Sequence, residues 1–533
     1  MTGPNENNRK LTSAAAIIMA ATFLSRITGF LRTLLIYTKM SPSGYSDEFI
    51  LAFTLPDIVY DLLAGGAIAA ALIPLLSSFI TKGKEEVGWK AVGTFMNLTV
   101  VVMLVLEIIF FTWTDGLLGI LAAGYNKNSG GDKTLLIGLT RILLLSAPFM
   151  MLAGQLNGIL NSYKRFAVAA FGPVIYNMCT IISIALFGSV SAELTAWGVV
   201  FSAAAFFGIQ MIATARHFKL YKPKLYLKSE AFRKLLALAI PSLISSFLIE
   251  LNLMISRGYA TFFSEGMLTL LNNANRTWQL PLGIFAQSVG IALLPTLSEH
   301  HATDNADEFK NVLNKGIRVV FLLSLPTTLY MMIMNQDIMR LLFKWGSLSE
   351  NDVFFAGISL FAYSSALVFA SMMALLTRAF YAVHNSRIPL VSGLIGIASN
   401  FLFNWIFRSF TNIGIAGTAL SYSISAFINV SVLIYMFNRF TGISIIRENG
   451  RYAIRSMFAA VPSGVVVLIL TMLVRPDTTS KLSQIVCITI SLSAGILVFW
   501  YLCMKTKIPE IDYINRAVIS KLRQFKLLPR KQA

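Results

Sequence analysis

The chain has 533 residues, of which 56% are hydrophobic and only 13% charged, with a mean hydropathy of +0.69. Soluble domains carry about a quarter charged residues, so this composition excludes a soluble enzyme or binding module and indicates a polytopic membrane protein. The net charge of +19 would suit nucleic acid, but in a membrane chain the placement of Lys and Arg among the loops decides what such an excess means.

Taken in order, apolar runs able to cross about 30 Å of hydrocarbon are expected at 12–39, 47–80, 88–113, 134–160, 167–187, 195–214, 233–263, 267–298, 312–334, 352–378, 389–408, 413–438, 453–474 and 483–503, about fourteen spans. The first run is too long for a signal-peptide core and has no small-residue cleavage site, so it reads as a retained helix. The second would measure roughly 50 Å at helical rise. It must therefore protrude or bend, with Pro56, Gly65, Gly66 and Pro74 as places to do so.

With the N-terminus inside, alternate loops collect Lys82, Lys84 and Lys90, then Lys164 and Arg165, then Arg216 to Lys234 with five further cations between. Later inside loops add Lys310, Lys315, Arg378, Arg387, Arg439 and Arg451 before a basic tail from Lys505 to Ala533. This follows the positive-inside rule and places both termini in the cytoplasm. The basic charge is thus topogenic and no nucleic-acid partner is expected; the tail is a candidate for lying on anionic lipid.

Two short matches recur at a separation of about 221 residues: Leu72-Ile73-Pro74-Leu75-Leu76-Ser77 with Leu293-Leu294-Pro295-Thr296-Leu297-Ser298, and the stretch from Leu156 with that from Leu376. An even number of helices separates the copies, so they share orientation. The expected organisation is an N-terminal lobe at 1–215 (helices one to six), a C-terminal lobe at 216–440 (helices seven to twelve), and two further helices with the basic tail at 441–533.

With the residues assigned to loops set aside, the cations left in the expected spans are Arg26, Arg32, Arg141 and Arg276. A guanidinium at mid-bilayer costs on the order of 3 kcal/mol, so it faces a wet cavity, a bound anion or a partner. Arg26 and Arg32 lie about 120° apart on the helical wheel, so both can border one broad cavity. Arg276 opens a polar stretch that should break near Pro281 and Gly283. Glu107, Glu250, Asp57 and Asp61 are the acids expected to neutralise them, with Asp47 at the head of the second run. Three of the arginines, Arg26, Arg32 and Arg276, suit a phosphate or carboxylate ligand, whereas Arg141, near its outer end, is better explained by snorkelling or pairing. Cys179, Cys487 and Cys503 show no pairing or ligand spacing. His217, His300, His301 and His384 make no convincing metal site. No carboxylate pair, nucleophile elbow or Walker loop is present, so neither catalysis nor a cofactor is expected.

The ordered combination of Ser25-Arg26-x-x-Gly29-Phe30-x-Arg32, Asp47-x-Phe49, Leu55-Pro56, Arg276 to Phe285, Gly290 to Ser298, Leu341-Leu342-Phe343-x-x-Gly346 and Arg378-Ala379-Phe380-Tyr381-Ala382 resembles the MurJ (MviN) lipid II flippases. These belong to the multidrug/oligosaccharidyl-lipid/polysaccharide exporter superfamily. The resemblance covers about 12–500 and implies an all-α fold of two six-helix lobes around a V-shaped cavity, with two C-terminal helices forming a groove for a lipid tail. It implies that Arg26, Arg32 and Arg276 hold the diphosphate of lipid II while lobe rocking gives alternating access, with Asp47, Asp57 and Asp61 as possible cavity or coupling residues. A cation site described in the family would fall at Ser256 and Asn404, beside Asn400 and Thr418. Neutral residues at both acid positions argue against sodium coupling, as Thr33, Tyr60 and Asp61 also depart from the family pattern.

The expected function is therefore outward movement of undecaprenyl-diphosphate-linked peptidoglycan precursor across a bacterial cytoplasmic membrane by a monomer in contact with membrane lipids and cell-wall synthesis proteins. The competing readings are a flippase for another polyprenyl-linked oligosaccharide and a non-transporting scaffold for cell-wall or sporulation enzymes.

Overall fold

A computed structural model describes residues 21, 24–40, 44–63, 71–125, 131–344, 349–383, 385–474, 480–506 and 508–511, and among these the chain is all α. It divides into two compact units, Met1–Leu270 with Trp345–Leu348, and Leu271–Lys344 with Ser349–Ala533.

The first unit comprises α1 (24–40), α2 (Ser46–Ala52), α3 (Thr54–Leu63), α4 (Ile73–Thr81), α5 (Glu85–Thr112), α6 (Thr114–Leu121), α7 (Lys133–Leu144), α8 (Ala147–Ser162), α9 (Phe166–Phe187), α10 (Ala192–Thr214) and α11 (Glu230–Ala260). Next comes α12 (Met267–Leu282), joined by a π-helical turn at Gly283–Gln287 to α13 (Ser288–Ala302). The second unit continues with α14 (Ala306–Ile333), α15 (Asn335–Phe343), α16 (Glu350–Ser364), α17 (Leu367–Ala382), α18 (Arg387–Phe410), α19 (Ile415–Thr441), α20 (Ile445–Leu473) and α21 (Lys481–Lys505).

Helix starts follow local chemistry. Asp132 accepts the amides of Thr134 and Leu135 to begin α7, Asn305 accepts that of Glu308, and Ser349 with Asp352 forms a reciprocal capping box on α16. Each supplies an acceptor to amides that have no partner within the helix. At the other end of α19, Gly442 takes the left-handed conformation, φ +73°, that a side chain would resist.

In the first unit the core gathers Leu72, Leu76, Trp89, Phe95, Leu156 and Phe232. The second packs Leu313, Leu375, Phe380, Leu433 and Phe437, with the two phenylalanine rings edge to face at 5.2 Å. Lipid is as apolar as leucine, so helix contacts in a bilayer depend on close fit. Gly198 of α10 is one such point, since a Cβ there would stand 1.8 Å from Ser183 Oγ on α9. Gly495 of α21 is another, 2.4 Å from Val467 of α20.

Among the described residues nine helices are long and apolar enough to cross a membrane, and the pair α16–α17, bent by 42°, makes a tenth. These correspond to the expected third to sixth and ninth to fourteenth spans. The other four do not appear as single spans among the described residues. The 12–39 run begins outside the described residues. In the 47–80 run the chain leaves the helix at Phe53 and Pro74 sits in the first turn of α4, while Gly65 and Gly66 lie outside the described residues. The 233–263 run carries Glu250 and Arg257, and the 267–298 run is interrupted by the π turn just after Pro281.

Candidate functional site

In α1, Arg32 is half-buried, and its guanidinium lies over the ring of Tyr176 on α9, 5.5 Å from the centroid. Arginine stacks well on an aromatic face because its charge is delocalised and weakly hydrated. Among the described residues no carboxylate pairs with Arg32. The neighbouring Asn177 fixes α1 against α9 one turn back, donating from Nδ2 to the Ser25 carbonyl at 3.2 Å and to Thr28 Oγ1 at 3.3 Å. Arg26, beside that anchor, is exposed.

Arg276 is also exposed, and the faces of α12 beside it are locked into the second unit. Trp278 is fully buried, its ring stacked on Tyr363 at 6.0 Å and tilted against Tyr422 at 5.4 Å. Its Nε1 donates to Asn275 Oδ1 at 2.8 Å, and buried Thr277 bonds back to the Asn273 carbonyl. Successive helical residues point about 100° apart, so burial of 277 and 278 turns 276 outward.

Asp47 is almost entirely buried and accepts the backbone amides of Gly266 and Thr269, both at 2.8 Å, together with the Thr269 hydroxyl. It therefore caps the N-terminus of α12, where orphan amides and the helix dipole both favour negative charge. Arg276 follows Thr269 by two turns of that same helix. In the adjoining turn, burial first and the nearby Glu48 second hold the Glu265 carboxyl above its ordinary range. Glu48 itself accepts from the Tyr125 hydroxyl and the Asp132 amide.

Arg257 is a further cation inside the apolar run at 233–263. On α11, its Nη1 lies 3.3 Å from Asp57 Oδ2 and 3.4 Å from Glu250 Oε1, so two of the few acids available in the apolar runs are engaged by this further cation. The side chain of Asp61 lies outside the described residues. Arg141 is exposed with its guanidinium 5.3 Å from the ring centre of Phe111.

Asn400, Asn404 and Thr418 are buried. Asn404 donates from Nδ2 to the Asn400 carbonyl at 2.9 Å and to its Oδ1 at 2.8 Å, which leaves Asn404 Oδ1 without a partner among the described residues. Ser256 is buried and donates to the Asn252 carbonyl at 3.4 Å. Each of these side chains is neutral, and a neutral oxygen suits a hard cation less well than a carboxylate does.

The family model for "Lipid II flippase MurJ" matches residues 38–479. The chain belongs to the MurJ family. Among MurJ relatives, a probable lipid II flippase from Rickettsia prowazekii is 30% identical, covering 79% of this chain and 83% of its own. One from Vibrio cholerae is 28% identical over 80% and 82%, and the lipid II flippase MurJ of Burkholderia cenocepacia is 27% identical over 81% and 84%. The fold is similar to a solved MurJ structure, an inward closed conformation, with a TM-score of 0.74 and 22% identity over 91% of this chain and 98% of that one. It is also similar to an inward-facing multidrug MATE transporter, with a TM-score of 0.64 and 13% identity over 82% and 99%. The chain is thus a multi-pass α-helical membrane protein of the MurJ family.

Proposed function

We propose that this chain moves lipid II from the inner to the outer leaflet of a bacterial cytoplasmic membrane. Membership of the MurJ family supports the reading, and one observation in this chain carries it to a site: Arg32 sits half-buried on Tyr176 with no carboxylate partner among the described residues. A charged group placed so in an apolar segment is costly unless it meets water or an anion. A diphosphate offers arginine a bidentate, charge-assisted partner.

In this reading Arg26 and Arg32 bind the diphosphate from the N-terminal lobe and Arg276 binds it from the C-terminal lobe, while the polyprenyl tail stays in lipid. The lobes run 1–215 and 216–440, the segment 441–533 flanks them, both termini are cytoplasmic, and the monomer is the working unit. Rocking of the lobes reverses the opening, and no covalent bond is made or broken. Neutral side chains at Ser256, Asn400, Asn404 and Thr418 favour membrane potential or protons over sodium as the driver.

The test is complementation of a flippase-depleted strain by Arg32→Ala and Arg276→Ala at normal protein levels, with externally exposed lipid II measured directly. Loss of both growth and exposure is expected. Full complementation by both variants would favour the scaffold reading, and transport of another polyprenyl-linked glycan in the same assay would reassign the cargo.

A further inference from the structure

The segment joining α10 to α11 does not hang loose from the first unit. Tyr226 donates its backbone amide to Thr94 Oγ1 at 3.0 Å, Asn97 Nδ2 donates to the Lys224 carbonyl at 3.3 Å, and the Tyr221 hydroxyl meets Asn97 Oδ1. Tyr221 fills the space over Gly93, where a Cβ would stand 3.3 Å from its ring. Lys90 lies over the ring of Tyr226 at 6.0 Å. The chain here turns twice, Lys224 and Ser229 donating their amides to the carbonyls of Lys222 and Tyr226 at 2.7 and 3.0 Å. Tyr226 turns toward α5, while Leu225 and Leu227 turn outward with 51% and 50% of their surface exposed. Lys222, Lys224 and Lys228 are exposed around them.

The level of this strap follows from α5. Its 28 residues span about 42 Å, some 12 Å more than the hydrocarbon core. Val101, Leu104, Val105 and Ile108 form an exposed apolar stripe at helical spacing, which marks the lipid-facing part. Counted back from Thr112, about 30 Å of helix is roughly twenty residues and ends near Gly93, beside Lys90 and Thr94, which meet the strap. That places the strap at headgroup level, where leucine belongs in the acyl boundary and lysine on phosphate.

We propose that residues 222–228 are a lipid-docking strap, with Leu225 and Leu227 entering the acyl-chain boundary and Lys222, Lys224 and Lys228 on anionic phospholipid headgroups. The leaflet follows from the cytoplasmic placement of the basic loops proposed above; the strap's contact with lipid does not depend on the cargo. Tyr226, pinned inward, sets which side chains face the membrane.

The experiment uses the full chain lacking Cys179, Cys487 and Cys503, carrying Leu225→Cys labelled with an environment-sensitive fluorophore. It is reconstituted in phosphatidylcholine vesicles with and without phosphatidylglycerol. Expected are blue-shifted emission, quenching by shallow-brominated lipid, and a stronger response with phosphatidylglycerol. Combining Lys222→Gln, Lys224→Gln and Lys228→Gln should remove the phosphatidylglycerol-dependent part, with co-purified phosphatidylglycerol falling about fivefold per lysine. Lys82→Gln with Lys84→Gln is the control for general loss of basic charge and should leave the probe unchanged. Emission typical of water in both compositions, equal response with and without phosphatidylglycerol, or shielding by a co-purifying protein instead of lipid overturns the proposal. Because no readout is transport, failure here leaves the flippase assignment standing and the converse also holds.

Discussion

The α20–α21 hairpin and the α3–α11 contact handle polar groups in opposite ways. On the hairpin, Phe458, Leu473, Leu482 and Leu497 are each about 70% exposed, and Ser463 is turned inward, accepting from the Tyr330 hydroxyl of α14 at 3.0 Å. Such helices need only lipid around them. The α3–α11 contact instead buries Arg257 between Asp57 and Glu250. Desolvating Arg257 and Glu250 offsets much of their attraction, and an apolar replacement of equal volume is often as stable. Spanning thus accounts for the exposed apolar surface of the hairpin, and it does not account for the charges at the α3–α11 contact.

The largest effect should come from Arg32, which has no carboxylate partner among the described residues. A charge-assisted bond is worth about 1.5–3 kcal/mol, so Arg32→Ala should lower lipid II exposure by roughly ten- to a hundredfold. Arg32→Lys keeps the charge and loses the planar stacking on Tyr176, and should fall between. Wild-type transport by Arg32→Ala would remove the distinction between the two regions. Next is Arg257→Ala, which strands two acids. Breaking a buried pair costs 3–5 kcal/mol in general, and here about 3 kcal/mol, since Asp57 is 36% exposed and water screens it. Thermal unfolding of the purified protein should show the loss, and Asp57→Asn with Glu250→Gln in an Arg257→Met background should recover it. A smaller loss, about 1 kcal/mol, is expected for Asp47→Asn, because the amide keeps one of the two acceptor oxygens that take the Gly266 and Thr269 amides and loses the charge. Faster hydrogen exchange at Gly266 and Thr269 would report it, and unchanged exchange would show that the charge is not needed for the cap.

Much of this pattern was legible in the chain because charge inside an apolar run is conspicuous. Arg26, Arg32 and Arg276 stood out for that reason, and the interruption expected at Pro281 and Gly283 is the π turn at Gly283–Gln287. Arg257 was missed because it lies near the end of an expected span, where a cation passes for a snorkelling terminus. Its partner Asp57 is 200 residues away, so no local spacing links them. Asp47 was visible as an acid but not as a cap, since the amides it accepts lie 219 and 222 residues along. Tyr176 gave no signal at all, because one tyrosine in an apolar helix looks like any other until Arg32 is placed over it. Fold class depends on composition and survives such ignorance, whereas the site depends on long-range pairing, which one sequence does not display.

The smallest effect sharpens the comparison from the other side. Arg141, like Arg32, is a cation in an apolar run resting on an aromatic ring, here Phe111 at 5.3 Å. It differs in being exposed and near its helix end, where a guanidinium reaches water by extending its stem. A cation–π contact at such a site is worth about 0.5–1 kcal/mol. Arg141→Gln should therefore lower thermal stability slightly and leave lipid II exposure at the wild-type level. If Arg141→Gln instead abolished exposure as Arg32→Ala is expected to, stacking on an aromatic ring would no longer separate a structural arginine from a substrate-binding one. Burial and the missing carboxylate at Arg32 would then lose their diagnostic value.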